Sequence, residues 1–175
     1  YLDHHSEVVG LSPKLLNTDG SLQPQGSLLN SFVYRSKKTR YVSFLSGASL
    51  FVKTDFFNHI GGFDDALFFY NDDIDFAKQV KRNKKKLAYF PEVEITHHGG
   101  LSTKFKPIDS VISGYRGSIY LCNKFYSPLI FYPYLLFMRF YVNLLLLYYT
   151  VVPTSNALEW KEKLNQFKLL INDTY

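Results

Sequence analysis

The sequence predicts an α/β fold that carries a helical appendage at its C-terminal end. Three observations lead there. Short apolar runs in the first hundred residues are punctuated by Gly, Pro, Asn and Asp, the pattern of strands and turns. One well-marked helix lies among them, opening on acids and closing on lysines. From Pro107 onward the apolar residues recur at helical spacing. The expected division is an α/β unit over residues 1–106 and a helical tail over 107–175, and 175 residues are enough to bury a core.

Val8-Val9-Gly10-Leu11 opens the chain as a short strand before Pro13, and Asn17-Thr18-Asp19-Gly20 follows as a turn, where Gly supplies positive φ. Residues 41–52 read as a β-like run broken at Ser46-Gly47. Thr54 is placed to cap a short helix through Ile60, which Gly61-Gly62 ends in a left-handed conformation. Asn71 or Asp72 caps a helix over 73–83, with Lys84 to Lys86 at its C-terminal end. Strands follow at 87–90 and 93–96, separated by Pro91, and lead into His97-His98-Gly99-Gly100. Three helices are expected in the tail: 108–126, 129–152 after Ser127-Pro128, and 156–172 with Trp160, Leu164, Phe167 and Ile171 on one face.

Composition bounds the function. Hydrophobic residues at 46% and charged residues at 20% exclude a disordered chain. Aromatic residues reach 18%, and so many rings must be packed in a core, a stacking site or a membrane interface. Cys122 is the single cysteine, which excludes an intrachain disulfide and a cysteine-based zinc site and suits a reducing compartment. A net charge of +5 and a pI of about 9.1 suit an anionic partner, whether a nucleotide diphosphate, an anionic lipid surface or nucleic acid. Tyr1 to Ser6 lack the charged-then-apolar pattern of a signal peptide, and with no initiating Met the sequence reads as a piece of a longer chain.

Asn71-Asp72-Asp73-Ile74-Asp75 is the densest group of chemistry-bearing side chains. Acids in the first turn of a helix favour its N-terminus by about 0.3–1 kcal/mol each, which is the plain reading. Helical spacing separates the three. Asp73 shares a face with Phe76, Ala77 and Val80, whereas Asp75 shares one with Lys78, Gln79 and Arg82 and is expected in solvent. A carboxylate on an apolar face needs a partner or a substrate, because burying it unpaired costs several kcal/mol. Asp73 is therefore the functional candidate, and Asp72 can cap the helix or serve the site. Of His97 and His98 only one can face a site at a strand end, since neighbours on an extended chain point opposite ways. The basic run from Lys81 to Lys86 reads as a solvated face, and the lack of an interleaved aromatic weakens a nucleic-acid reading.

The order of these motifs resembles the family 2 glycosyltransferases, in particular their rhamnosyltransferase-like branch. Val9-Gly10-Leu11-Ser12-Pro13-Lys14-Leu15-Leu16 with Asp19-Gly20-Ser21-Leu22-Gln23 is similar to the middle of that family. Phe44-Leu45-Ser46-Gly47-Ala48-Ser49 resembles the strand before its acceptor-site helix. Gly61-Gly62-Phe63-Asp64-Asp65 and Phe68-Phe69-Tyr70-Asn71-Asp72-Asp73-Ile74-Asp75 resemble its signature GGFDE…FFYxEDxD, and Tyr89-Phe90-Pro91 and His97-His98-Gly99-Gly100-Leu101-Ser102 complete the series. The resemblance covers roughly residues 8–102. It implies a partial GT-A, Rossmann-like fold and an inverting transfer of sugar from a nucleotide-diphosphate sugar to a hydroxyl of a glycan or lipid-linked acceptor, in the building of cell-envelope polysaccharide. It implies Asp73 as the general base with Asp72 in place of the family's Glu, Gly47, Ala48, Phe69 and Tyr70 at the substrates, and His97 as ligand to a divalent cation, Mg2+ or Mn2+. No nucleic acid is implied. The family's nucleotide-binding half with its DxD motif precedes the matched region, so this chain alone is expected to be inactive. A non-catalytic remnant that binds glycan or docks on a membrane is the alternative.

Residues 129–152 are almost wholly apolar or aromatic and long enough to span a bilayer. Pro133, Arg139, Asn143 and the tyrosines favour instead an interfacial or re-entrant anchor at the cytoplasmic face of the cell membrane, with a core helix as the plain alternative.

Overall fold

The computed structural model describes residues 1–26, 31–67, 69–99 and 106–175. Val8, Val9 and Leu15 are fully buried in β1 (Val8–Leu16), which is covered on both faces as a central strand is. The strand runs straight through Pro13, where a shorter one was expected. Proline lacks an N–H for the ladder, and the register with β4 (Lys86–Thr96) shifts between Pro13 and Lys14, an irregularity of the kind that tolerates proline. β4 likewise continues through Pro91: Phe90 pairs with Pro13 and Glu94 with Lys14, so the register jumps residues 91–93. The expected break at Ser46-Gly47 separates β2 (Arg40–Val42) from β3 (Phe51–Val52).

The sheet order is β2-β4-β1-β3, with β1 and β4 parallel and both edge pairings antiparallel. Parallel neighbours require a crossover, and α1 (Thr54–His59) and α2 (Asp72–Arg82) lie within it. Thr54 is the first residue of α1 and makes no cap, because Lys53 holds the capping position. Gly61 and Gly62 end the helix at φ of 83° and 81°, a region closed to most side chains. Phe76, Ala77 and Val80 of α2 join Val9, Leu87 and Tyr89 of the sheet in one core. At its other end α2 closes with Lys84 at φ 53°, where Lys85 N–H reaches Val80 O and Lys84 N–H reaches Lys81 O, a Schellman arrangement built on lysine. These elements form a mixed α/β unit compatible with a partial Rossmann-like fold.

Two compact units divide the chain, Tyr1–Leu67 with Asp72–Ser102, and Phe68–Asn71 with Thr103–Tyr175. The second is helical: α3 (Pro107–Phe125), α4 (Pro128–Val151) and α5 (Ala157–Thr174). Its core holds Ile112 and Ile119 of α3, Phe131, Leu135, Met138 and Val142 of α4, and Leu164, Phe167 and Ile171 of α5. Trp160 lies flat on Tyr149, with ring centroids 5.2 Å apart. Ser127 and Pro128 hold the expected cap and first helical positions of α4, and Ser127 makes no side-chain capping bond.

Candidate functional site

The first turn of α2 sets out the acids. Asp73 is half-buried above Phe76, Ala77 and Val80, on the face that helical spacing assigns it. Its Oδ2 accepts the backbone N–H of Gly47 at 3.2 Å. Burial pushes the Asp73 carboxyl above the ordinary aspartate range; the Gly47 N–H opposes that shift and the neighbouring charge of Asp72 adds to it. A side chain built on Gly47 would lie 3.7 Å from Asp73 Cβ and 4.0 Å from Asp72 Oδ2, so the glycine brings the loop into contact with both acids.

A cavity of about 340 Å³ adjoins this corner, lined by Gly47, Leu50, Val52, Thr54, Phe57, Phe63 and Asp72. Asp72 thus reaches the cavity wall, while Asp73 stands behind it, held by Gly47. Asp75 departs from expectation, since it is 3% exposed and belongs to the interior. Helical spacing describes only the face that α2 lays on the sheet. Asp75 stands about 200° round from Asp73, away from that face, so the periodic pattern does not report its burial.

The loop carrying Gly47 and Ala48 is held by a residue that sequence reasoning passed over. Gln25 is 2% exposed; its Oε1 accepts the N–H of Ser46 at 3.1 Å and its Nε2 donates to Pro13 O at 3.2 Å. Ser46 Oγ in turn accepts the N–H of Ala48 at 3.3 Å. One carboxamide therefore ties the loop to the irregular point of β1. Gln23-Pro24-Gln25-Gly26 reads as an ordinary loop, and no local signal marks Gln25 as buried.

His97, the residue after β4, is half-buried, and His98 beside it is exposed. His97 Nδ1 lies 2.8 Å from Gln23 Oε1. A carboxamide oxygen only accepts, so Nδ1 is the donor in this contact. Among the described residues no three His, Cys, Asp or Glu side chains converge. Phe69 and Tyr70 fall within the helical unit, in edge-to-face contact at 4.7 Å; Tyr70 is exposed and adopts φ 65°, an uncommon conformation for a bulky residue. Phe68 and the motif residues Gly100, Leu101 and Ser102 lie outside the described residues. The run from Lys81 to Lys86 is exposed throughout, as a solvated face is.

Comparison with known proteins finds a distant likeness. The chain is 25% identical over 139 residues to the N-acetylglucosaminyl-diphospho-decaprenol L-rhamnosyltransferase of Mycobacterium tuberculosis, in strains CDC 1551 / Oshkosh and ATCC 25618 / H37Rv. The match covers 65% of this chain and 45% of the relative, so the chain spans less than half the length of the curated relatives it matches. No protein-family model matches, and no solved structure matches. The chain has a glycosyltransferase-like relationship.

Proposed function

We propose that this chain contributes the acceptor side of an inverting glycosyltransferase with a partial GT-A fold, and that Asp73 is its general base. The observation that carries the reading is the Asp73 carboxyl itself. It is half-buried, oriented by the Gly47 N–H, next to a cavity, and raised in pKa by burial and by Asp72. A base whose pKa lies closer to the working pH accepts a proton in the transition state more effectively, and a positioned base typically contributes about 10²–10⁴-fold.

In this mechanism an acceptor hydroxyl in the cavity attacks the anomeric carbon of a nucleotide-diphosphate sugar. The new C–O bond forms as the bond to the diphosphate breaks. The hydroxyl proton passes to Asp73, and configuration at the anomeric carbon inverts. Gly47 borders the acceptor and fixes the orientation of the base, and Ala48 follows it on the same loop beside the cavity. Activated L-rhamnose and a lipid-linked diphosphate sugar, the classes in the relative's name, are the first donor and acceptor to assay. Action on such an acceptor suits a position at the inner face of the cell membrane. His97 offers one nitrogen toward a divalent cation, and no step is assigned to a cation.

The test is transfer by the full-length protein. Asp73→Asn should lower turnover by about 10²–10⁴-fold, with binding of donor kept. Near-normal turnover would remove Asp73 as the base. A second reading has its own observation: Asp72, not Asp73, lines the cavity. If Asp72→Asn abolishes transfer and Asp73→Asn does not, the proton goes to Asp72.

A further inference from the structure

α4 has two apolar faces, and the bundle uses one of them. Phe131, Leu135, Met138 and Val142 are buried against α3 and α5. On the opposite side Leu129, Leu136, Phe140, Leu147 and Val151 are 60–87% exposed. At about 100° per residue, the exposed apolar positions cover an arc of about 160° along the whole helix. Such a face, interrupted near one margin by the exposed Asn143, is far larger than a soluble monomer normally leaves in water.

We propose that this face lies in the plane of an anionic bilayer, with α4 parallel to the surface and embedded to the depth of its exposed side chains. The inference uses the helical unit alone and stands whether or not Asp73 is a base.

Length and hydropathy alone permit a spanning helix, since 24 residues reach about 36 Å. α5 argues against it. The two helices run antiparallel in contact along most of α4: Phe131 meets Tyr175, Arg139 Nη2 donates to Ile171 O at 3.1 Å, Lys168 Nζ donates to Asn143 Oδ1 at 2.7 Å, and Tyr149 stacks on Trp160. The outer side of α5 exposes Glu159, Glu162, Asn165, Gln166 and Asp173. A spanning α4 would carry those groups through hydrocarbon, where each charge costs several kcal/mol. With α4 in the plane, the same groups face water.

Polarity around α4 agrees. Its strongly polar side chains, Arg139 and Asn143, are engaged with α5, and Tyr132 and Tyr148 stand at the margins of the exposed arc, where phenols meet headgroups. Charge supplies the second attraction. Residues 103–175 hold eight Lys and Arg against four Asp and Glu, so the helical unit carries most of the chain's positive excess. That excess is complementary to an anionic lipid surface and has no such complement on a second copy of this basic chain.

The test is flotation of the full chain with vesicles of phosphatidylcholine, alone and mixed with an equal part of phosphatidylglycerol. The chain should float with both, more strongly with the anionic mixture, and added salt should remove the difference. The double variant Leu136→Glu/Phe140→Glu should lower binding at least about tenfold. Both sites are exposed, so its helical circular dichroism should be unchanged. For orientation, fluorophores on cysteines introduced at Leu129, Phe140 and Val151, with Cys122→Ser, are quenched by brominated acyl chains. Equal shallow depth at all three supports the in-plane helix. A deep Phe140 flanked by two shallow ends means a spanning helix and overturns it. Failure to float with either vesicle also overturns it, as does a dimer in solution that the double variant dissolves.

Discussion

The α/β unit and the helical unit use opposite means to present a surface. In the first, a polar group is taken partly out of water and aimed: Asp73 is half-buried, and backbone and carboxamide hydrogen bonds fix the loop that faces it. In the second, apolar groups are left in water along one side of α4. Each departs from the ordinary rule that charges are exposed and hydrocarbon is buried, and each departure marks where something outside the chain is expected. The two lie in separate compact units with separate cores, so they should fail separately.

The largest effect should therefore be a double dissociation. Asp73→Asn should cost about 10²–10⁴-fold in transfer and leave vesicle flotation unchanged. Leu136→Glu/Phe140→Glu should lose flotation and keep transfer to a soluble acceptor. The Asp73 variant should also melt no lower than the parent at neutral pH. Burial raises the pKa of Asp73, so the folded state favours the neutral acid. The stability linked to this group is full below the ordinary aspartate pKa and falls as the pH rises through the folded-state value. Asparagine removes that loss, and thermal melts at neutral pH check it.

Next in size is the carboxamide behind the Gly47 loop. Gln25→Leu should destabilise by about 1–3 kcal/mol, since Ser46 N–H loses its partner and Pro13 O keeps only the Ser12 hydroxyl. Urea unfolding measures that loss, and the vesicle assay should not register it. The smallest effect lies at the end of α2. Lys84→Gly should stabilise by about 1 kcal/mol, because Lys84 holds a left-handed conformation that glycine adopts freely. An unchanged urea midpoint would mean that the surrounding turn relaxes.

What could be read in advance divides along physical lines. Helix spacing brought out Phe76, Ala77 and Val80 and, in the tail, Leu164, Phe167 and Ile171, because burial against a single layer repeats with the helix. Gly61 and Gly62 were legible because positive φ is a property of the residue itself. Pro13 and Pro91 misled, since each sits where the β1–β4 register slips and a proline is tolerated. Gln25 leaves no local signal because its partners, Pro13 and Ser46, lie more than ten residues away, and Asp75 leaves none because it lies off the face whose burial repeats with the helix. The exposed side of α4 was equally hidden, because an all-round apolar helix does not reveal which side its neighbours will cover.

The claim that Asp73 takes the proton is tested most directly by the pH dependence of kcat/KM for the full-length protein and its Asp72→Asn variant. The acid limb should lie above the ordinary aspartate range in the parent. It should move to lower pH in the variant, because removing the Asp72 charge makes ionisation of Asp73 easier. An acid limb that stays in place or moves upward would contradict the assignment.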